Sequence, residues 1–427
     1  MIRSDHDDRM RKASMDSRAS DVRGNRRDCA SFGTPRQPGR AVFNTNAPGS
    51  SHRRMPSHRR PLILSSLAHD IHASAARWAL RASGIDATWV TSLAESELGP
   101  MSLHCDADSG LRMSGALDHD RVGTVWYRRP RNPESFPRAH SSDAPFLRGE
   151  WGRFLKNVYA LTDQGADRLW VNRPAAAAMA ENKLVQLRAA HRCGLRFPAT
   201  LVSHDPNEIR RFVQRHGRVV YKPFMTHTWK DAETGRMFST YARIVEPAML
   251  EDDASLLHCP GIYQVYVDKR CDLRVTAIGD RYFAARLHAQ HDGGFVDWRV
   301  GQAVQGLRAE PGELSASDQA KLATLMRELG LVFGCIDLAI DADGDAHFLE
   351  VNQAGQFLFV EDLLPSLPLL RAMSAMLAEG RPDYSLATIA PVSYADYCAS
   401  EEHRAWWAQA SEGLKDRSPA AAGITLE

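Results

Sequence analysis

Seven cysteines, Cys29, Cys105, Cys193, Cys259, Cys271, Cys335 and Cys398, are odd in number, widely spread and never in a C-x-x-C pair. That pattern excludes a disulfide framework and gives no zinc site, so the thiols read as free. No apolar run approaches the length of a membrane span, and no secretory apolar region is present, so a cytoplasmic protein with no membrane partner is expected. The N-terminal region has neither G-x-G-x-x-G nor G-x-x-x-x-G-K-[ST], so a nucleotide, if one is bound, is expected elsewhere in the chain. No nucleophile motif built on Ser or Cys is recognisable.

What is present is ordinary in bulk: 427 residues, 44% hydrophobic and 25% charged, enough for two or three domains with substantial cores. The formal net charge of +1 conceals an asymmetry, because residues 1–60 carry +8 and the remainder −7. Residues 1–58 are rich in Arg, Ser, Asp, Gly and Pro without apolar periodicity, and are expected to be disordered. Six aspartates among them argue against a mitochondrial transit peptide, and Met55 is an alternative translation start. A basic tail alone gives only salt-sensitive affinity for phosphate backbones, so no nucleic-acid partner is expected.

In chain order, Pro61–Ser66 predicts a strand, Asp70–Ala82 a helix closing at Gly84, and Ala87–Val90 a second strand, the opening of a layered α/β domain. Gly123–Arg128 predicts a strand and Phe146–Leu161 a long amphipathic helix. The run Arg128-Arg129-Pro130-Arg131 suits an anionic ligand or a solvated loop. Ala175–Cys193 predicts a helix with a polar joint at Glu181-Asn182-Lys183. A strand at Ala199–Val202, a helix from Asp205 to about His216 and a strand ending at Lys222-Pro223-Phe224 follow. The segment 226–243 is a polar hairpin or a lid loop. Ile262–Val267, Asp272–Ile278 and Tyr282–Leu287 are strands, the last two joined at Gly279-Asp280, with Arg286 expected across from Asp272 and Arg274 on one face. Helices are expected over Ser315–Leu329, Leu364–Leu377 and 394–409.

The chain centres on two apolar runs around Asp341-Ala342-Asp343-Gly344-Asp345, the pattern of a hairpin. Alternation puts Glu350 and Asn352 on one face, and Asp337 on the partner strand can lie opposite them. Two carboxylates and an amide oxygen suit Mg²⁺, or Mn²⁺, shared with substrate phosphates; the same spacing also fits polar residues on a wetted face. The aspartate run is not a calcium loop, because Ala346 stands where glycine is needed and Asn352 where a bidentate Glu belongs. Lys183 and Lys222 become candidates for triphosphate binding beside such a cluster, although either alone suits solvent.

The ordered set Glu181-Asn182-Lys183-Leu184, Val220-Tyr221-Lys222-Pro223, Gln264-Val265-Tyr266-Val267, Asp272-Leu273-Arg274-Val275, Asp297-Trp298-Arg299, Ile336-Asp337-Leu338 and Glu350-Val351-Asn352 resembles the ATP-grasp ligases. With Asn352-Gln353-Ala354-Gly355-Gln356-Phe357, it resembles most closely the microviridin-type peptide maturases, the graspetide synthetases, over about residues 60–380. The resemblance implies an ATP-grasp fold of mixed α/β and α+β character. Its parts would be an N-terminal α/β domain (59–171), a small central lid domain (172–262) and a C-terminal domain with an antiparallel sheet (263–381), followed by a tail (382–427). It implies ATP and Mg²⁺ as cofactors: Lys183 and Lys222 on phosphates, Gln264, Val265, Tyr266 and Val267 as the adenine-reading hinge, and Asp337, Glu350 and Asn352 on the metal. Arg274 and Arg299 would face the γ-phosphate and acyl group, with Asp272 and Arg286 beside them.

The implied activity is ADP-forming ligation. An Asp or Glu side chain of a ribosomal precursor peptide becomes an acyl phosphate, and a Ser or Thr hydroxyl or a Lys amine displaces phosphate to close a macrocyclic ester or amide. Two alternatives stand beside it: an intermolecular ligase adding an amino acid to a peptide or protein, and a non-catalytic peptide-binding protein on the same scaffold. A homodimer is the expected assembly.

Overall fold

In a computed structural model, residues 59–415 are described, except for 66–69, 94–98, 109, 119–120, 134–135, 137–138, 163–167, 225–227, 231–233, 236, 240–241 and 290–305. The expected disordered extension, Arg299 with its neighbours Asp297 and Trp298, and most of the tip of the 226–243 hairpin lie outside the described residues.

The first layer is a parallel sheet ordered β2-β1-β5-β6, from β1 (Arg60–Ser65), β2 (Thr88–Val90), β5 (Val122–Arg128) and β6 (Leu169–Val171). Helix α1 (Ile71–Ala82) starts where the Asp70 carboxylate accepts the backbone N–H groups of His72 and Ala73, so the predicted helix begins one residue after its cap. A short hairpin, β3 (Ser102–Asp106) with β4 (Gly110–Ser114), and the long helix α2 (Ala144–Thr162) complete this part.

The polar joint at 181–183 divides the predicted helix into α3 (Pro174–Ala180) and α4 (Lys183–Arg192). Asn182 accepts the N–H groups of Leu184 and Val185 at 3.0 and 3.2 Å, which starts a new helix rather than extending the old one. A second antiparallel sheet, ordered β11-β8-β12-β7, contains β7 (Thr200–Ser203), β8 (Val219–Lys222), β11 (Arg243–Ile244) and β12 (Gly261–Val265). It is backed by α5 (Pro206–His216) and α6 (Asp253–His258), and carries the small hairpin of β9 (Thr228–Lys230) and β10 (Met237–Ser239). Because β12 pairs with β7 and β8, the expected boundary at 262 falls inside a strand.

The third sheet, β15-β14-β13-β16-β17, contains β13 (Lys269–Ile278), β14 (Arg281–Ala289), β15 (Leu307–Pro311), β16 (Phe333–Asp341) and β17 (Ala346–Asn352). On one face Leu273, Val275, Ile336, Leu338 and Val351 pack against α3, α4 and α7 (Ala316–Glu328). Lys183 therefore belongs by packing to this sheet and not to the second one, which alters the expected extent of the central part.

On the other face Ile278, Ala285, Leu287, Phe333 and Cys335 share a core with α1, α8 (Leu358–Leu363), α9 (Leu369–Glu379) and residues Ile63 and Trp126 of the parallel sheet. The predicted helix from Leu364 begins only at Leu369, after Pro365 and Pro368. The supposed tail is also structured: α10 (Tyr394–Ala399) and α11 (Glu401–Lys415) dock on α1 through Tyr397 Oη to Ser74 (2.7 Å) and an Arg81–Glu402 ion pair. Among the described residues no helix is long and apolar enough to cross a membrane, and the described cysteines are free.

Candidate nucleotide and metal site

The β16–β17 hairpin sets the centre of the site. Antiparallel pairing places Asp337 opposite Glu350 and Cys335 opposite Asn352, so three oxygen-bearing side chains meet on one face, as the alternation predicts. A bulge between Asp337 and Leu338 inserts Leu349 as one extra residue on β17 and so brings Glu350 opposite Asp337. On the next strand Arg274 pairs with Asp337 in register. Its guanidinium spans both Asp337 oxygens at 2.7 and 2.9 Å and donates to the Gln356 carbonyl at 2.9 Å. Both partners are buried, with side chains 3% and 5% exposed. Burial alone would lower the pKa of Arg274, but the facing Asp337 carboxylate, with Glu350 beyond, holds it above the ordinary value.

Glu350 is less enclosed. Its Oε2 accepts from Lys183 Nζ at 2.5 Å and its Oε1 from Asn352 Nδ2 at 3.0 Å. Asn352 Nδ2 also lies 3.4 Å from Asp337 Oδ2. Lys183 reaches this point because Gln186, one turn along α4, is zipped to β17: it donates to Val351 O at 2.9 Å and accepts Val351 N–H at 2.9 Å. Those bonds also satisfy the outer edge of β17, helped by Arg196 O accepting from Phe348 N at 2.7 Å. Two carboxylates and an amide, already drawing cationic groups, form a donor set that fits Mg²⁺. That ion takes one or two protein carboxylates and leaves its other positions to water and phosphate. Rotation of the Asn352 amide by a half-turn would present oxygen in place of nitrogen. Among the described residues no group of three or more His, Cys, Asp or Glu side chains is arranged for a metal.

Asp272 lies on the same face as Arg274 and accepts both bonds from Lys269 Nζ at 2.7 Å. Arg286 does not join them. It pairs with Leu273, one register step from Arg274, so its side chain emerges from the opposite face and donates to Pro311 O at 3.2 Å. A one-residue step in register reverses the face of every side chain, which corrects the expected placement of Arg286.

The second group of candidates lies on the second sheet. Lys222 Nζ donates to Gln264 Oε1 at 2.6 Å, and Gln264 Nε2 donates to Thr200 Oγ1 at 3.0 Å. Val265, Tyr266 and Val267 continue from β12 into the connection to β13, half-buried, with Tyr266 under the Arg218 guanidinium at 3.9 Å. A short covalent link thus ties the lysine-bearing sheet to the carboxylate-bearing one.

Two groups escaped the sequence reading, and a third was read only as part of a basic run. Asn172, fully buried after β6, uses its whole amide: it donates to Phe333 O and Gln353 O (2.8 and 2.9 Å) and accepts from Val332 N and Phe333 N (2.8 and 2.9 Å). Gln186 is the second, and its signal was a polar residue on the apolar face of an amphipathic helix. The third is Arg128, whose burial shows that the basic run 128–131 is not simply a solvated loop.

The fold has counterparts among solved structures. Macrocyclase MdnC bound with precursor peptide MdnA, from Microcystis aeruginosa MRC, is 24% identical with a TM-score of 0.62, over 74% of this chain and 98% of that one. The RiPP-associated ATP-grasp ligase of Chryseobacterium gregarium, in complex with ADP and a leader and core peptide, is 20% identical with a TM-score of 0.62, over 76% and 98%. The chain has the ATP-grasp fold. ATP-grasp ligase PsnB, complexed with a phosphomimetic variant of its minimal precursor, Mg and ADP, is 21% identical with a TM-score of 0.55, over 74% and 98%. No family model and no curated protein matches the sequence. The ATP-grasp expectation for the fold is thereby borne out.

Proposed function

We propose that this protein is an ADP-forming, ATP- and Mg²⁺-dependent carboxylate ligase that closes macrocyclic esters or amides in a ribosomal precursor peptide. The observation that carries the reading is the Lys183–Glu350–Asn352–Asp337–Arg274 array on one face of the third sheet, in a fold shared with peptide-bound ATP-grasp ligases. Asp337, Glu350 and Asn352 would hold the metal, which when bound would supply neutralisation of the phosphate charge. Lys183 and Lys222 bind phosphate oxygens, the 264–267 connection receives the adenine, and Arg274 with Arg299 orients the γ-phosphoryl group and the substrate carboxylate. Asp272 with Lys269 fixes the strand that carries Arg274.

In the first step an oxygen of the substrate carboxylate attacks the γ-phosphorus, the bond to the β-phosphate oxygen breaks, and ADP leaves. In the second, a hydroxyl or amine of the same peptide attacks the acyl carbon, its proton is lost and inorganic phosphate departs. Positioning and cationic stabilisation of the transferred group account for the rate, and no side chain of the enzyme is modified. A homodimer accompanies this reading and is read out by light scattering.

Incubation with a candidate precursor, ATP and Mg²⁺, followed by mass spectrometry, tests the proposal. Loss of one water per ADP released supports it. Gain of an amino-acid residue identifies the intermolecular ligase instead, and an unchanged peptide mass with no ADP release, across candidate precursors, contradicts ligation.

A further inference from the structure

The residues that fix the metal-bearing strand from behind lie in the other half of the chain. Asp70, His72 and Arg128 are each less than a tenth exposed, and all three converge on the segment that leaves β17. Arg128 Nε donates to Asp70 Oδ2 at 2.7 Å, while its Nη1 donates to the carbonyls of Ala354 and Gly355 at 3.3 and 3.4 Å. His72 Nε2 faces the backbone N–H of Phe357 at 3.1 Å and that of Leu358 at 3.5 Å, and its ring meets the Phe357 ring edge-on at 4.9 Å. Nε2 therefore acts as an acceptor, and the ring proton sits on Nδ1, 3.6 Å from Asp70.

The gripped segment is short and continuous with the site. Asn352 precedes it by two residues, and within it the Gln356 carbonyl accepts from Arg274, which in turn spans Asp337. A cation on the carbonyls at one end and an imidazole lone pair on the amides at the other fix both translation and twist of residues 354–358. Gly355 is seated so closely that a Cβ there would lie 2.6 Å from Cys335 Cβ. Freedom in this segment passes directly to Asn352 and to the Arg274 guanidinium.

We infer that Asp70, His72 and Arg128 are positioning residues for the metal–nucleotide site, acting through the 354–358 backbone. The inference rests on the proposed function above. Groups that orient metal ligands without touching the metal typically contribute 10–100-fold in affinity.

The test measures Mn²⁺ binding in the presence of ADP by electron paramagnetic resonance, together with the Mg²⁺ concentration for half-maximal ATP turnover. Arg128→Gln is expected to weaken Mn²⁺ binding about tenfold or more and to raise the Mg²⁺ requirement in parallel, with Arg128→Lys recovering part of the loss. His72→Gln, which removes the imidazole acceptor from the amide end of the grip and its contact with Asp70, serves as the second variant. Thermal melting identifies the folded fraction of each. Folded variants whose Mn²⁺ affinity stays within about twofold of wild type overturn the inference, whereas wild-type protein that binds no Mn²⁺ with ADP overturns the parent reading instead.

Discussion

Replacing Arg274 by Met removes the cation that spans both oxygens of Asp337 and leaves a buried carboxylate without its main partner. Breaking a buried pair in this way costs about 3–5 kcal/mol, because the remaining charge keeps its desolvation penalty. With melting shifts of about 2–4 °C per kcal/mol for sizeable domains, the variant should melt roughly 6–20 °C below wild type. The same change frees the Asp337 oxygens from their competing cation. Mg²⁺ with ADP should therefore stabilise the variant more than it stabilises wild type; at 100-fold excess over its Kd the ligand contributes about 2.7 kcal/mol in total, and wild type should receive less at the same concentration. ADP lacks the γ-phosphate that Arg274 is proposed to contact, so losing the guanidinium should not remove a nucleotide contact. Differential scanning calorimetry of both proteins, with ADP alone and with ADP and Mg²⁺, gives the two increments. Equal increments, or a smaller one in the variant, would refute the idea that Arg274 and a divalent cation address the same carboxylate.

Glu350→Gln should abolish ATP-dependent turnover while lowering stability by less than about 1 kcal/mol, since its ion pair with Lys183 is partly solvated; ADP release and melting report the two separately. Burial, with the Arg128 charge, depresses the pKa of His72 from 6.5 to about 4, so the folded protein keeps the ring neutral where the unfolded chain takes up a proton. Stability from this source is complete above pH 6.5 and should fall by about 3 kcal/mol as pH drops to 4, and His72→Gln should flatten that slope in denaturant titrations. Burial alone would raise Asp70, but the His72 bond and the Arg128 charge hold it below 3.8, so a further loss follows under that pH. Gly355→Ala should cost about 1–3 kcal/mol by overpacking against Cys335 Cβ and Sγ, 2.6 and 2.7 Å from the added methyl, measured as a fall in melting temperature.

The features legible in the sequence are those governed by local rules. An Asp-Gly turn between alternating runs was enough to pair the two strands and to put Glu350 and Asn352 on one face, but it is the bulge between Asp337 and Leu338, which the sequence does not mark, that brings Asp337 opposite Glu350. Asp205 marked a helix start because its side chain caps the first backbone N–H groups, whereas the same capping role of Asn182 was read only as a joint within one helix. Arg286 was misplaced because the β13–β14 register depends on a turn whose geometry the pair Gly279-Asp280 does not specify. Gly279 sits there with φ +56°, and a Cβ would strike the Pro382 carbonyl, a contact from a hundred residues away. Likewise His72 and Arg128 gave no signal of their roles. Their partners at 354–358 are backbone atoms more than 220 residues away, and backbone groups carry no sequence signature.

The most direct test is a crystal structure of the protein grown with ADP and Mn²⁺, with anomalous scattering used to locate the metal. The account predicts a peak enclosed by Asp337, Glu350 and Asn352, with Lys183 drawn from Glu350 towards phosphate oxygen. A metal peak away from these three side chains, or nucleotide bound against the parallel sheet of the first 171 residues, would contradict it.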